Sequence, residues 1–170
     1  TYPAIKSMGG GVLLSQIHEL DYALWLFGKP SRIFALGGQL SELEIDAEDA
    51  ASVLMECQCN GKVLPVSLTL DFLLSPPRRT CTIVGDQGSI VWDYHGESAV
   101  LQSRVTGETE TLDFSDLERN QMFMDELKHF LSAVKGEVSP IVDIRLGYDS
   151  LQMALAALAS IETGEVQVLK

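Results

Sequence analysis

Ala51-Ser52-Val53-Leu54-Met55-Glu56-Cys57-Gln58-Cys59, then Asn60-Gly61, then Lys62-Val63-Leu64-Pro65-Val66-Ser67-Leu68-Thr69-Leu70-Asp71-Phe72 is the stretch on which the fold turns. Leu64, Val66, Leu68, Leu70 and Phe72 recur with period two, and Val63, Ser67, Thr69 and Asp71 fall between them. Side chains of a strand alternate between its faces, so this pattern predicts a strand with one apolar and one more polar face. Asn60-Gly61 is a strong signal for a two-residue hairpin, whose turn needs residues that tolerate positive φ. The two strands are therefore expected to be antiparallel neighbours.

Outward from this hairpin, Arg32 to Leu40, Arg79 to Val84, Ser89 to Tyr94 and Ala99 to Arg104 read as further strands, with tight turns at Asp86-Gln87-Gly88 and Thr106-Gly107. Strands joined by short hairpins pair antiparallel, which predicts a meander and excludes a doubly wound parallel sheet. A first helix is expected from Ser15, whose hydroxyl could cap it, to Phe27, with Gly28 and Pro30 as its stop. Ile17, Leu20, Leu24 and Phe27 form its apolar stripe. Ser115 or Asp116 is expected to cap a second helix carrying Phe123, Leu127, Phe130, Leu131 and Val134, ended by Gly136. Asp143 is expected to cap a third, with Leu151, Leu155, Leu158 and Ile161 on its stripe, Gly164 at its end, and a short returning strand over Val166 to Leu169. The fold class is thus α+β: an open, mainly antiparallel sheet with helices on one face. The other face is left uncovered, and such faces usually meet a partner.

A chain of 170 residues suits one domain, taken here as residues 1–170. Its formal charge of −12, from 24 acidic and 12 basic side chains, repels phosphates and argues against nucleic acid and anionic membranes as partners. No apolar stretch reaches the ~20 residues of a membrane span. Cys57, Cys59 and Cys81 read as small buried hydrophobes in a reducing cytoplasm, since a zinc site would need four ligands and no second pair exists. No metal is expected.

Gly9-Gly10-Gly11 suggests a phosphate loop, but a dinucleotide fingerprint needs a third glycine where Leu14 stands and a strand before the run. Cofactor-binding residues are accordingly expected to be absent from this chain. A glycine run ahead of a helix still permits close approach of a ligand or another backbone. His18, with Ser15, Asp21 and Tyr22 around it, makes that helix face the leading candidate for chemistry. Arg78 and Arg79, after Pro76-Pro77, could hold an anionic group; His95 and His129 have no convincing partner in the sequence.

Gly9 to Asp21, followed by Trp25-Leu26-Phe27-Gly28, resembles the segment opening the C-terminal domain of the glucose–fructose oxidoreductase and inositol dehydrogenase (Gfo/Idh/MocA) family. Leu70-Asp71-Phe72 through Pro76-Pro77-Arg78-Arg79 to Val84-Gly85, with Gly88 to Asp93, is similar to that family's central strands. Arg119 to Phe123, Asp125-Glu126 and His129 to Leu131 are similar to its penultimate helix. The resemblance implies an α+β C-terminal half whose N-terminal Rossmann domain, missing from this chain, would bind NAD or NADP and supply a catalytic lysine. It implies a sugar, sugar derivative or cyclitol as substrate, and a homodimer or homotetramer formed through the open sheet face. His18 would be catalytic, and Ser15, Asp21, Tyr22 and Arg79 substrate-binding. The family pattern has Asp four residues before the His; here its position appears as Ser15, three residues before His18, which carries no charge to orient the imidazole. The fragment alone is expected to be inactive. A non-catalytic sensor or protein-interaction module of the same architecture is the alternative.

Overall fold

The computed structural model describes residues 2–169. Two short 3₁₀ turns, Tyr2–Ala4 and Lys6–Met8, lead into α1 (Val12–Ser15) and α2 (Ile17–Phe27). Then come β1 (Arg32–Gly38), β2 (Ala50–Cys59), β3 (Lys62–Asp71), β4 (Thr80–Gly85), β5 (Gly88–Asp93), β6 (Ser98–Ser103) and β7 (Thr109–Asp113). The chain finishes with α3 (Arg119–Val134), α4 (Ile144–Thr163) and β8 (Gln167–Val168). All strand pairs are antiparallel, in two four-stranded sheets ordered β3-β2-β1-β8 and β4-β5-β6-β7. The α+β class and antiparallel pairing expected from the sequence are those observed. The chain divides into two compact units, residues 1–73 with 141–170, and residues 74–140.

In the first unit the hairpin register runs from Ala50 opposite Asp71 to Cys59 opposite Lys62. Asn60 and Gly61 turn it with φ of 51° and 73°, both positive as a type I′ turn requires. This register puts Ala51, Val53, Met55 and Cys57 on one face, with Leu64, Val66, Leu68 and Leu70 across from them. That face is the core. Ile33 and Ala35 of β1, Leu20 and Leu24 of α2, Val12 and Leu13 of α1, and Met153, Ala154 and Ala157 of α4 close over it. Each fully buried large apolar side chain contributes roughly 1.5–3 kcal/mol, so this layer dominates the unit's stability. Gly28 ends α2 at φ 76°, and Gly164 ends α4 at φ 71°. Asp143 caps α4, accepting from the amides of Arg145 (2.9 Å) and Leu146 (3.0 Å).

Two expectations for this unit need correction. The α4 stripe is partly rotated: Leu158 and Ile161 pack against the core as expected, but Leu151 and Leu155 are exposed, while Ser150, Met153, Ala154, Ala157 and Ser160 are buried. Small residues let the helix axis approach β1 closely, and the Ser160 hydroxyl takes the Ala35 amide at 2.9 Å while donating to the Glu165 carbonyl. Cys59, unlike Cys57, is exposed at the end of β2, beside the turn.

The second unit is a four-stranded meander plus α3. Asp86-Gln87 makes the β4–β5 turn, with Gly85 opposite Gly88. Its best-organised side chains lie at the start of the sheet, where the Arg79 guanidinium stacks over Trp92 (5.4 Å) and Tyr94 (5.2 Å). β7, a polar and fully exposed edge strand, was not anticipated, because Thr-Glu-Thr-Leu-Asp carries almost no apolar alternation. α3 begins at Arg119 without a side-chain cap, since the Ser115 amide is taken by Asp113 Oδ1 at 2.8 Å and a turn follows. None of its residues is buried; Phe123, Leu127 and Phe130 are all exposed. The apolar stripe of this helix is therefore not buried within its own unit, because periodicity sets where a stripe lies but not what covers it.

Candidate functional site

The glycine run is a junction, not a phosphate cradle. Its amides are committed within the protein: Gly10 to the Ile5 carbonyl and Gly11 to the Pro3 carbonyl, both at 2.9 Å. The Val12 amide bonds the Glu48 carbonyl (2.9 Å), and the Leu13 amide bonds Glu48 Oε1 (3.0 Å). Glu48 is buried, and its side chain already caps the first turn of α1. Gly10 is needed because a Cβ there would lie 2.7 Å from three backbone carbonyl oxygens. The amides of Gly10, Gly11, Val12 and Leu13 are thus all taken by the protein itself.

This long-range capping moves the helix start. The sequence places it at a Ser15 cap; in the structure Ser15 is the last residue of α1, and Gln16 (φ −110°, ψ 32°) breaks the path before α2. Gln16 is pinned by its own side chain, whose Nε2 donates to the Asp71 carbonyl at 3.3 Å. Ser15 Oγ is buried and has no hydrogen-bond partner.

His18 follows on the first turn of α2, with 56% of its side chain exposed and Nε2 3.1 Å from Glu19 Oε1. Glu19 is buried, at 7% exposure. Asp21 turns toward α4, where it accepts the Ser150 hydroxyl, and that bond helps to lock the two helices. Tyr22 is half-buried beside it. Ser15, His18, Asp21 and Tyr22 are therefore gathered by α1 and α2 of the first unit, whereas Arg79 belongs to the second, held by its aromatic stack. Sequence reasoning missed Glu48 and Glu19. Only the adjacency of Glu19 to His18 was visible, and neighbouring helical residues are not expected to face each other.

Among the described residues no cluster of His, Cys, Asp and Glu could hold a metal ion, and no helix is long and apolar enough to cross a membrane. The first unit, part of an α+β chain, thus presents the accessible His18 imidazole close to the buried Glu19 carboxylate.

The family model for the C-terminal alpha/beta domain of the oxidoreductase family, GFO_IDH_MocA_C, matches residues 4–168, and the chain belongs to that family. UDP-N-acetylglucosamine 3-dehydrogenase GnnA from Acidithiobacillus ferrooxidans shares the fold with a TM-score of 0.74 at 24% identity, over 89% of this chain and 47% of that one. An oxidoreductase from Agrobacterium radiobacter, solved with NAD+, L-tartaric acid and magnesium, gives 0.72 at 19% identity, over 90% and 47%. The WlbA dehydrogenase from Bordetella pertussis, solved with NADH and UDP-GlcNAcA, gives 0.64 at 20% identity, over 95% and 46%. The chain thus spans about half the length of the solved structures it matches. No curated protein matches it.

Proposed function

We propose that this chain is the substrate-binding and oligomerisation half of an NAD- or NADP-dependent dehydrogenase acting on a hydroxyl of a sugar, sugar derivative or cyclitol. The observation that carries the reading is His18: an accessible imidazole on the first turn of α2, just after the glycine–helix junction, within a chain of the oxidoreductase family. The nucleotide sugars named for GnnA and WlbA support a sugar-like substrate. A nicotinamide, bound by a separate Rossmann domain, would accept the hydride from the carbinol carbon. His18 would take the hydroxyl proton or hydrogen-bond it as it leaves. Ser15 would bind a substrate hydroxyl only if its Oγ, buried and without a hydrogen-bond partner among the described residues, became uncovered on binding. Asp21 and Tyr22 would shape the same face; Arg79, in the other unit, would take an anionic group of a substrate. Three free cysteines suit a reducing cytoplasm. The chain by itself, lacking a dinucleotide site, would be inactive.

The test uses the full-length protein and a panel of sugars, nucleotide sugars and cyclitols, following nicotinamide reduction by absorbance. His18→Ala is expected to lower kcat at least about a hundredfold, the usual scale of general acid–base help. His18→Asn keeps a hydrogen-bonding group, so it recovers part of the loss only if the role is positional. Near-normal turnover per folded molecule in both variants would make His18 a structural residue. If no panel member supports reduction of either nucleotide, the sensor or assembly reading takes its place.

The oligomer would form through the outer face of the first sheet. Leu36, Leu54 and Val63 are exposed there, beside Ser52, Ser67 and Thr69, and all three helices of the unit's core lie on the opposite face. A stable pairing needs roughly 1,200 Å² or more in total. Sedimentation at tens of micromolar is expected to show a dimer or tetramer, and Leu54→Glu to give monomers. A wild-type monomer, or an assembly indifferent to that charge, would remove this face as the interface.

A further inference from the structure

We propose that the β2–β3 turn is a modification site: Asn60 converts there, without an enzyme, chiefly into isoaspartate, and that product opens the end of the hairpin. Sequence and fold meet at this turn. Asparagine is among the thermally labile residues, and it cyclises fastest before glycine, which leaves the following amide nitrogen open to close approach. The chain holds two asparagines, Asn60 before Gly61 and Asn120 before Gln121. Asn60 and Gly61 are both exposed. A Cβ built on Gly61 would have nothing within 4 Å, so no neighbour crowds the nitrogen or the water that must reach it. The ladder closes at Cys59 opposite Lys62. In a two-residue turn the closing bonds run between those flanking residues, and the Gly61 amide is left outside them.

The reaction needs only water. The Gly61 amide nitrogen gives up its proton and bonds to Asn60 Cγ, while the side-chain nitrogen leaves as ammonia and a five-membered succinimide closes. Water then opens the ring at either carbonyl. Opening at Cγ yields aspartate on an unchanged main chain. Opening at the original backbone carbonyl breaks the old peptide bond and leaves the chain running through Cβ and Cγ, which is isoaspartate. Nothing is oxidised or reduced: one amide and one water become one carboxylate and one ammonium ion. The products differ in what they do to the turn, whose two residues hold φ of 51° and 73°. Aspartate fits, because Asp-Gly suits a type I′ turn as Asn-Gly does. Isoaspartate adds a main-chain carbon to a two-residue loop, and loop length is what fixes hairpin register. The closing pair, Cys59 with Lys62, is therefore expected to part.

The full-length protein is held in warm, mildly alkaline buffer, and samples taken over weeks are digested and mapped by mass spectrometry, with isoaspartate counted by enzymatic methylation. The peptide carrying Asn60 is expected to gain the mass of an amide-to-carboxylate exchange and to accept methyl groups, well before the peptide carrying Asn120 changes. Hydrogen exchange then reads the turn. In the isoaspartate form the Cys59 and Lys62 amides are expected to lose protection, whereas Asn60→Asp keeps it. If Asn60 stays intact in the native protein while the urea-unfolded chain converts, the folded turn protects the residue and the proposal fails. Equal conversion at Asn60 and Asn120 would overturn it too, since the turn would then confer nothing. An isoaspartate form as protected at Cys59 and Lys62 as Asn60→Asp would remove the opening of the hairpin.

Discussion

Gly11→Ala is expected to cost roughly 3–5 kcal/mol of folding stability, from backbone strain and a lost buried hydrogen bond together. Gly11 sits at φ 105°, ψ 160°, a region essentially closed to residues with a side chain. A Cβ there would also lie 2.2 Å from both carboxylate oxygens of Glu48, far inside contact distance. Glu48 would have to leave, and the Leu13 amide that it caps at 3.0 Å would be orphaned in a buried place. Gly9→Ala is the comparison, because its φ of 78° and ψ of 29° are ordinary left-handed backbone and nothing lies within 4 Å of the added Cβ. That variant should lose only about 1 kcal/mol, the lower end of the cost of such a conformation. Urea unfolding midpoints measure both. Adding Glu48→Ala to Gly11→Ala should cost little more, since the single variant has already displaced the carboxylate. Equal losses at Gly9 and Gly11 would show that the Glu48 contact contributes nothing.

The same contact explains what could and could not be read in advance. The β2–β3 hairpin, its turn at Asn60-Gly61, the α2 stop at Gly28 and the Asp143 cap of α4 are all local: each depends on residues a few positions apart, and each stands where the sequence places it. The start of the first helix depends on Glu48, 35 residues away from the amide it takes, and nothing periodic announces such a partner. Ser15 satisfies every local rule for a cap and is not one. In α4 the error came from ranking residues by hydrophobicity. Leucines mark an apolar stripe, but Ala154, Ala157, Ser150 and Ser160 are what allow close approach to a strand, and those are buried.

Of the candidate site, His18 and its helix were legible because a glycine run, a polar cluster and a family resemblance coincide there. The carboxylates around it were not. Asp21 looks like a site residue in sequence, yet its carboxylate accepts a bond from Ser150 on a helix more than a hundred residues later, a pairing only the fold creates. Arg79 was read as an anion hook; its stack on Trp92 and Tyr94 depends on the β4–β5 register, which the turn sequence indicates but the arginine itself does not.

Asp49→Ala is expected to lose about 3 kcal/mol, because a fully buried carboxylate that serves several donors is removed at once. Asp49 is 0% exposed. Its Oδ1 accepts the Leu40 amide at 2.8 Å, and its Oδ2 accepts the Ser41 amide at 3.0 Å and the Ser41 hydroxyl. Its backbone joins β1 and the end of β3, donating to the Gly38 carbonyl and accepting from the Phe72 amide, each at 3.0 Å. The Leu40 and Ser41 donors hold the carboxyl below its ordinary value of 3.8, outweighing the opposite effect of burial. A group whose folded value is depressed contributes stability that is fully present above the unfolded value and fades as pH falls through the folded one. The contribution should therefore be complete at neutral pH and decline below about 3.8. Asp49→Asn retains one acceptor oxygen but points an NH₂ at a donor, so it should also destabilise at pH 7. It cannot titrate, however. The stability difference between wild type and Asp49→Asn, from urea unfolding at pH 7, 4 and 3, should then narrow as the solution is acidified. A gap that stays constant across that range would show that Asp49 is not the carboxylate whose protonation loosens this junction.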